Sequence, residues 1–203
     1  MVQLTSDCFA FDGKLTRIDE ALKSILDSLA IKKETEQIAL NRALNKILAE
    51  DVIAAQNVPA DNNSAVDGYS VFFDDLNETG STELPVVGKA AAGRPLNSIQ
   101  KRGEAVRIFT GAVMPNGADS KDPDTVLMQE DCQVEDGKVI IPPGIKRGSN
   151  RRLSGEDIAA GTRVLEGGMR LRPQDIGLAA ATGKVSLSVR KPLRVAVFST
   201  GDE

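Results

Sequence analysis

The chain has 203 residues, 41% hydrophobic and 27% charged, which is enough apolar content to bury a core in one or two domains and too balanced for a disordered segment. A net charge of −4 and a pI near 5.1 argue against a general nucleic-acid binder. His is absent, and Cys8 and Cys132 lack Cys-x-x-Cys spacing, which argues against a zinc site or a His-activated nucleophile. The two thiols read as a reduced pair. With no long apolar run and no signal-peptide order at the N-terminus, the chain reads as cytoplasmic, with no membrane and no nucleic-acid partner.

In chain order, the first predicted element is a helix from about Thr16 to Leu29. Ile18, Leu22, Ile25 and Leu29 recur at three- and four-residue intervals and make one apolar stripe, with Thr16 and Asp19 as the starting cap. Lys32 to Glu36 is a charged linker. A short strand at Gln37–Leu40 and a short helix at Arg42–Ala49 follow, the helix because Leu44, Ile47 and Leu48 share a face. Asp51 to Ala54 is extended.

From Asp67 to about Ile141 the pattern changes to short β runs broken by Gly, Pro and Asn. The strands fall at Tyr69–Phe73, Leu84–Lys89, Ala105–Phe109, Thr125–Gln129, Gln133–Glu135 and Lys138–Ile141. The last two flank Asp136-Gly137, a hairpin signal because both positions tolerate positive φ. This spacing predicts a small β domain, barrel or sandwich. Gly117–Pro123 is an exposed loop, and Pro143–Ser154 is a Gly- and Arg-rich one.

Further short strands are expected at Thr162–Leu165 and Arg170–Leu171. Pro173 suits a first helical turn and Gly183 a C-terminal stop, which gives a helix over Pro173–Thr182. In Lys184–Val189, Val185, Leu187 and Val189 face one way. Arg194–Phe198 holds the run Val195-Ala196-Val197-Phe198, which fits a strand buried on both faces of a parallel α/β sheet. Such a strand needs partners, so the chain reads as the N-terminal part of a longer protein; the alternative is an edge strand of a mixed sheet.

Four stretches carry candidate chemistry, and each also has a plain reading as a turn. Asn63-Ser64-Ala65-Val66-Asp67-Gly68-Tyr69 brings a carboxylate to the mouth of a strand, where Gly lets backbone approach a ligand. In Ile108-Phe109-Thr110-Gly111, a hydroxyl and a backbone N–H follow a strand and suit an oxyanion. Asn150-Arg151-Arg152-Leu153-Ser154-Gly155-Glu156-Asp157 combines guanidinium groups for phosphate with acids for Mg²⁺ or for holding the Arg fork. Ser199-Thr200-Gly201-Asp202-Glu203 offers hydroxyls and carboxylates at a strand end, the usual ligand position of an α/β sheet.

The order of these stretches is more telling than any one of them. Asn-Ser-Ala-x-Asp-Gly-Tyr, Thr-Gly-Ala-x-x-Pro, Val-x-Met-Gln-Glu (Val126 to Glu130), Arg-x-x-Gly-Glu-Asp-Ile and Phe-Ser-Thr-Gly-Asp-Glu together resemble the molybdopterin molybdenumtransferases, the MoeA family. The eukaryotic homologue gephyrin carries the same module. The resemblance implies a mixed α and β, multidomain subunit that forms a homodimer. Residues 1–34 would belong with an α/β pterin-binding domain. Residues 35–53 and 161–183 would form a segmented dimerisation domain, 54–160 an inserted β domain, and 184–203 a linker strand plus the first strand of the α/β domain.

It also implies an activity: insertion of molybdate into adenylylated molybdopterin, with release of AMP and a need for Mg²⁺. Carried over by position, the catalytic acids are Asp67, Asp157 and Glu203, with Asp67 and Asp157 as metal contacts. Ser64, Thr110, Arg152, Ser199 and Thr200 would bind substrate. The alternative implied function is a gephyrin-like dimerisation or scaffold module without catalysis. The chain departs from the family pattern at Asn62, where an acid is common, at Val66 for Met, and at Leu153 and Ser154, where Arg occurs.

Overall fold

The computed structural model describes residues 17–28, 34–118 and 121–197, and the chain divides into two compact units, Met1–Glu34 with Arg190–Glu203 and Thr35–Val189. In the first unit, α1 (Ile18–Ser28) forms where the apolar periodicity put it, and its stripe of Ile18, Leu22 and Ile25 is exposed. Thr16 and Leu29 lie outside the described residues. The strand expected at Arg194–Phe198 is absent over its described part: residues 194–197 are not in a strand, and Val195 and Val197 are exposed. A buried parallel strand needs neighbours to take its backbone hydrogen bonds, and apolar side chains alone do not make one.

The second unit contains, in chain order, β1 (Thr35–Ala39), β2 (Val52–Ile53), β3 (Asn63–Ser64), β4 (Gly68–Val71), β5 (Thr82–Ala90), β6 (Ala105–Ile108) and β7 (Thr125–Met128). These are followed by β8 (Gln133–Glu135), β9 (Lys138–Ile141), β10 (Arg151–Arg152), β11 (Arg163–Leu165), α2 (Pro173–Ala181) and β12 (Ser186–Arg190). Two short sheets, β1 with β12 and β2 with β11, pack with α2 around Leu48, Val52, Leu165, Leu171, Ala179, Leu187 and Val189. Helix α2 starts at Pro173, and the buried Asp175 accepts the Arg172 N–H (2.8 Å) and its guanidinium (2.9 and 3.0 Å).

The helix expected over Arg42–Ala49 does not form. A 3-10 turn at Leu40–Arg42 gives way to Asn45 in the left-handed region (φ 64°). The amides of Asn45, Leu48 and Ala49 then donate to Leu171, Met169 and Ser188 instead of to their own helix. Tertiary partners satisfy this backbone, so a shared apolar face at helical spacing does not decide it. For the same reason Arg170 makes one bridge to Ile47 rather than a strand. Val185 is exposed because the chain bends there before β12 starts, while Leu187 and Val189 face the core.

The β-rich part is one six-stranded sheet, order β7-β4-β6-β5-β9-β8, a half-barrel with β7 and β8 at its edges rather than a closed barrel or a sandwich. Every pairing is antiparallel except β5 with β6. One face packs Tyr69, Val71, Leu84, Ala105, Leu127 and Val139; the other packs Ala90, Val106, Ile108, Met114 and Val126. The hairpin between β8 and β9 turns on Asp136 (φ 49°) and Gly137 (φ 76°), as the dipeptide predicts. The 117–124 loop, of which residues 119–120 lie outside the description, is closed by Gly117 N–H donating to Asp122 (2.8 Å) and by Asp124 accepting from Phe73 N–H and Arg147.

Candidate active site

Strand β4 lies between β6 and β7 and runs antiparallel to both, with Gly68 opposite Ile108 on one side and Met128 on the other. The residue just before β4 therefore meets the residues just after β6 and β7. That puts Asp67 beside Thr110 and beside the Gln129–Glu130 turn. One oxygen of the Asp67 carboxylate accepts the Thr110 N–H (2.8 Å) and the Thr110 hydroxyl (2.7 Å), and the Asp67 carbonyl accepts the Gln129 N–H (3.0 Å). The Thr110 amide, then its hydroxyl, then the charge of Arg107 hold the Asp67 carboxyl below its ordinary range, so it is an anion at neutral pH. Gly68 is fixed sterically: a Cβ there would lie 1.7 Å from the Leu127 carbonyl oxygen.

A second set of contacts brings up the Arg-rich loop. Strand β3 pairs with β10, with Ser64 opposite Arg151 and Asn63 opposite Arg152. On its other side the same segment bonds to the chain after Thr110, through Gly111 N–H to the Ser64 carbonyl (2.8 Å) and Ser64 N–H to the Ala112 carbonyl (3.0 Å). Arg152 donates to Glu156 (2.6 Å) and to Asp157 (2.7 Å), and those acids, Asp157 first, raise its pKa. Glu156 also accepts the Leu153 N–H, which with Arg152 keeps it ionised. These pairs are exposed and add little to stability, so their consequence is to fix which way the loop presents its charges.

Four of the five motifs thus share one region, and the structure sorts their residues. Asp67 and Thr110 are joined directly, and Arg152 and Asp157 are joined to each other. Thr110 spends both its N–H and its hydroxyl on Asp67. Ser64 is buried (1% exposed), and its hydroxyl donates to the Val66 carbonyl (2.6 Å), so it shapes the turn from within. Ser199, Thr200 and Glu203 lie outside the described residues. Sequence reading missed Arg107, Gln129 and Glu130 as site neighbours; the Gln-Glu pair stood inside a quoted motif, and Arg107 carries no local signal. Among the described residues no group of three or more acids or cysteines is gathered as a metal cage. A cleft of about 420 Å³ lined partly by Leu127, Pro142 and Asn150 contains neither Asp67 nor Asp157.

The family model described as the MoeA N-terminal region (domain I and II) matches residues 16–183. The chain belongs to this family. The MoeA-family relatives include the molybdopterin molybdenumtransferase of Haemophilus influenzae, 40% identical over 187 residues, which cover 92% of this chain and 45% of that protein. The Nostoc protein of the same name is 36% identical over 183 residues, covering 89% of this chain and 41% of its own. The crystal structure of the molybdopterin biosynthesis moeA protein from Pyrococcus horikoshii OT3 superposes with a TM-score of 0.78 at 32% identity, covering 87% of this chain and 46% of the other. The chain therefore spans a little under half the length of these relatives.

Asn62 and Ser154 lie together in the structure. Asn62 accepts the Ser154 N–H (2.8 Å), and the Ser154 hydroxyl donates to the Ala60 carbonyl (2.7 Å) and accepts from Asn57 (2.9 Å). The Asn62 amide and the Ser154 hydroxyl each help tie the 57–62 segment to the Arg-rich loop. Val66 packs against the Val106–Ile108 side of the sheet, an apolar role that Met would also fill.

Proposed function

We propose that the protein of which this chain supplies the MoeA N-terminal region inserts molybdate into adenylylated molybdopterin and releases AMP. The observation that carries this reading is the hydrogen-bonded connection of four separated motifs: an ionised Asp67 held by Thr110 and bonded to the Gln129 N–H, and the Asn63–Ser64 strand set between Arg151–Arg152 and Gly111–Ala112. Relatives named for this reaction support it.

In this reading Asp67 and Asp157 line the substrate cleft, and Arg152, with Glu156 and Asp157 fixing its fork, faces anionic oxygens of the pterin phosphate or nucleotide. Thr110 orients the Asp67 carboxylate, and Ser64 acts by shaping the turn beneath it. Ser199, Thr200 and Glu203 would complete the site. Mg²⁺ fits the donors available: Asp67 has a second carboxylate oxygen that takes neither Thr110 bond, and Mg²⁺ sites use one or two carboxylates plus substrate phosphates rather than full protein cages. When bound, the ion would polarise the bridging phosphate. Asp157 is the poorer candidate, because Arg152 already neutralises one of its oxygens.

The proposal extends to a cytoplasmic homodimer with a segmented dimerisation domain (35–53 and 161–183), an inserted β domain (54–160), and an α/β pterin-binding domain begun by 1–34 and 184–203. Among the described residues no helix is long and apolar enough to cross a membrane. The ionised Asp67 carboxylate, with one oxygen not taken by Thr110, favours the enzyme over a scaffold without catalysis. The test is molybdate-dependent AMP release by the full-length protein and its Asp67→Ala variant. Turnover is expected to fall at least about 100-fold, the scale of removing one preorganised electrostatic contact from an active site; wild-type turnover in that variant would sink the role of Asp67.

A further inference from the structure

We propose that Arg107 is a positioning residue for this site: its guanidinium locks the Asp67 turn and the Gln129–Glu130 turn together, and so presents Glu130 as a second carboxylate on the same rim. The inference rests on the functional reading above for its kinetic consequence, though not for its geometry.

Arg107 sits on β6, directly opposite Tyr69 on β4 and Lys89 on β5. Its guanidinium carbon lies 5.0 Å from the Tyr69 ring centroid and 4.8 Å from that of Phe109, whose ring also carries the Lys89 ammonium at 4.8 Å. Two aromatic faces thus fix the plane of the Arg fork. From that plane one nitrogen donates to the Gly68 carbonyl (3.3 Å), next to Asp67, and another donates to the Gln129 side-chain oxygen. Gln129 passes the constraint on in two directions. Its side-chain N–H donates to Glu130 (3.0 Å), and its backbone N–H donates to the Asp67 carbonyl (3.0 Å). One cation therefore touches residues adjoining both carboxylates.

Simple sheet stability does not require this. Main-chain pairing already joins β4 to β6 and β7, and the Gln129 and Glu130 side chains are exposed. Arg107 bonds both turns, one through the Gly68 carbonyl and the other through the Gln129 side chain. Other ionisable groups beside this cation are Tyr69 on β4, Lys89 on β5, which shares the Phe109 ring, and the Cys132 thiol after the same turn. A Lys at 107 would keep the charge but could not fork to two acceptors while lying flat between rings.

The test separates shape from charge in the full-length protein with Arg107→Met and Arg107→Lys. Arg107→Met is expected to lower kcat for AMP release about tenfold or more with KM changed less. Arg107→Lys keeps the charge without the fork and should leave kcat low. Wild-type kcat in Arg107→Met would overturn the proposal, as would a lowered melting temperature with kcat and KM both unmoved. A second measurement needs no activity: amide hydrogen exchange of Gln129, whose N–H bonds the Asp67 carbonyl, in wild type and Arg107→Met. Exchange there should speed at least about tenfold in the variant while the buried β4 and β6 amides keep their protection, and unchanged exchange at Gln129 would overturn the locking. If wild-type protein releases no AMP, the functional reading fails and the exchange measurement still decides the role of Arg107.

Discussion

Replacing Gly68 by Ala puts a methyl group where β4 has no room for one. The added carbon would lie 1.7 Å from the Leu127 carbonyl oxygen and 2.8 Å from its carbon, and both are main-chain atoms that no rotamer change can move. Carbon and carbonyl oxygen need roughly 3.3 Å or more even in the closest favourable contacts, so β4 and β7 must separate by about 1.5 Å at this point. Hydrogen bonds of ~2.9 Å do not survive that displacement. The two strands are registered from Gly68↔Met128 to Val71↔Thr125, with Gly68 at the site end. Loss of one or two ladder bonds at about 1 kcal/mol each, added to an overpacking cost of about 1–3 kcal/mol, gives roughly 2–5 kcal/mol. That is a large part of the stability of an ordinary domain, about 5–15 kcal/mol.

The assay is urea unfolding followed by far-UV circular dichroism and by fluorescence of Tyr69, the one tyrosine in a chain without Trp. Gly93→Ala is the control: Gly93 has φ +72° with nothing within 4 Å, so only left-handed strain of about 1–2 kcal/mol applies. If Gly68→Ala costs no more than Gly93→Ala, the steric reasoning fails. Because the strain falls between Asp67 and Leu127, the same substitution should pull Gln129 N–H from the Asp67 carbonyl and abolish AMP release by the full-length protein.

Two further outcomes follow from the ionisable groups. The Arg172 side chain, then its N–H, lower the pKa of the buried Asp175. A depressed carboxyl stabilises the fold above its unfolded pKa of about 3.9 and loses that contribution as pH falls through the folded value. Asp175→Asn should therefore cost about 1–2 kcal/mol in urea unfolding at pH 7 and close to nothing near pH 2; a cost independent of pH would refute the linkage. Burial, then the Asp131 charge, push the Cys132 thiol up to about 11. At pH 8 iodoacetamide should leave Cys132 unmodified in native protein and label it after urea, as read by peptide mass spectrometry; fast native labelling would contradict its burial.

Much of the fold is legible where local chemistry is decisive. Asp136-Gly137 tolerates positive φ, so the β8–β9 hairpin follows from two residues. Pro173 and Gly183 bracket α2 for similarly local reasons. The failures occur where backbone partners lie far along the chain. The stretch after Arg42 has an apolar face at helical spacing, yet its amides bond to Leu171, Met169 and Ser188. Arg194–Val197 has strand-like composition, yet no strand among the described residues pairs with it.

The site divides along the same line. By itself the sequence determined the family and which residue types stand at which positions, since Asn63–Tyr69, Thr110–Pro115, Val126–Glu130 and Arg152–Ile158 are each contiguous. Only the tertiary structure decided how those residues are used. Asp67 and Thr110 are 43 positions apart and meet because β4 runs antiparallel to β6. That same register turns the Thr110 donors onto Asp67, buries Ser64, and carries Arg107 between two rings to the Gln129 turn. Strand pairing over such separations leaves no periodicity in the chain, so the contacts become visible only when the sheet is assembled.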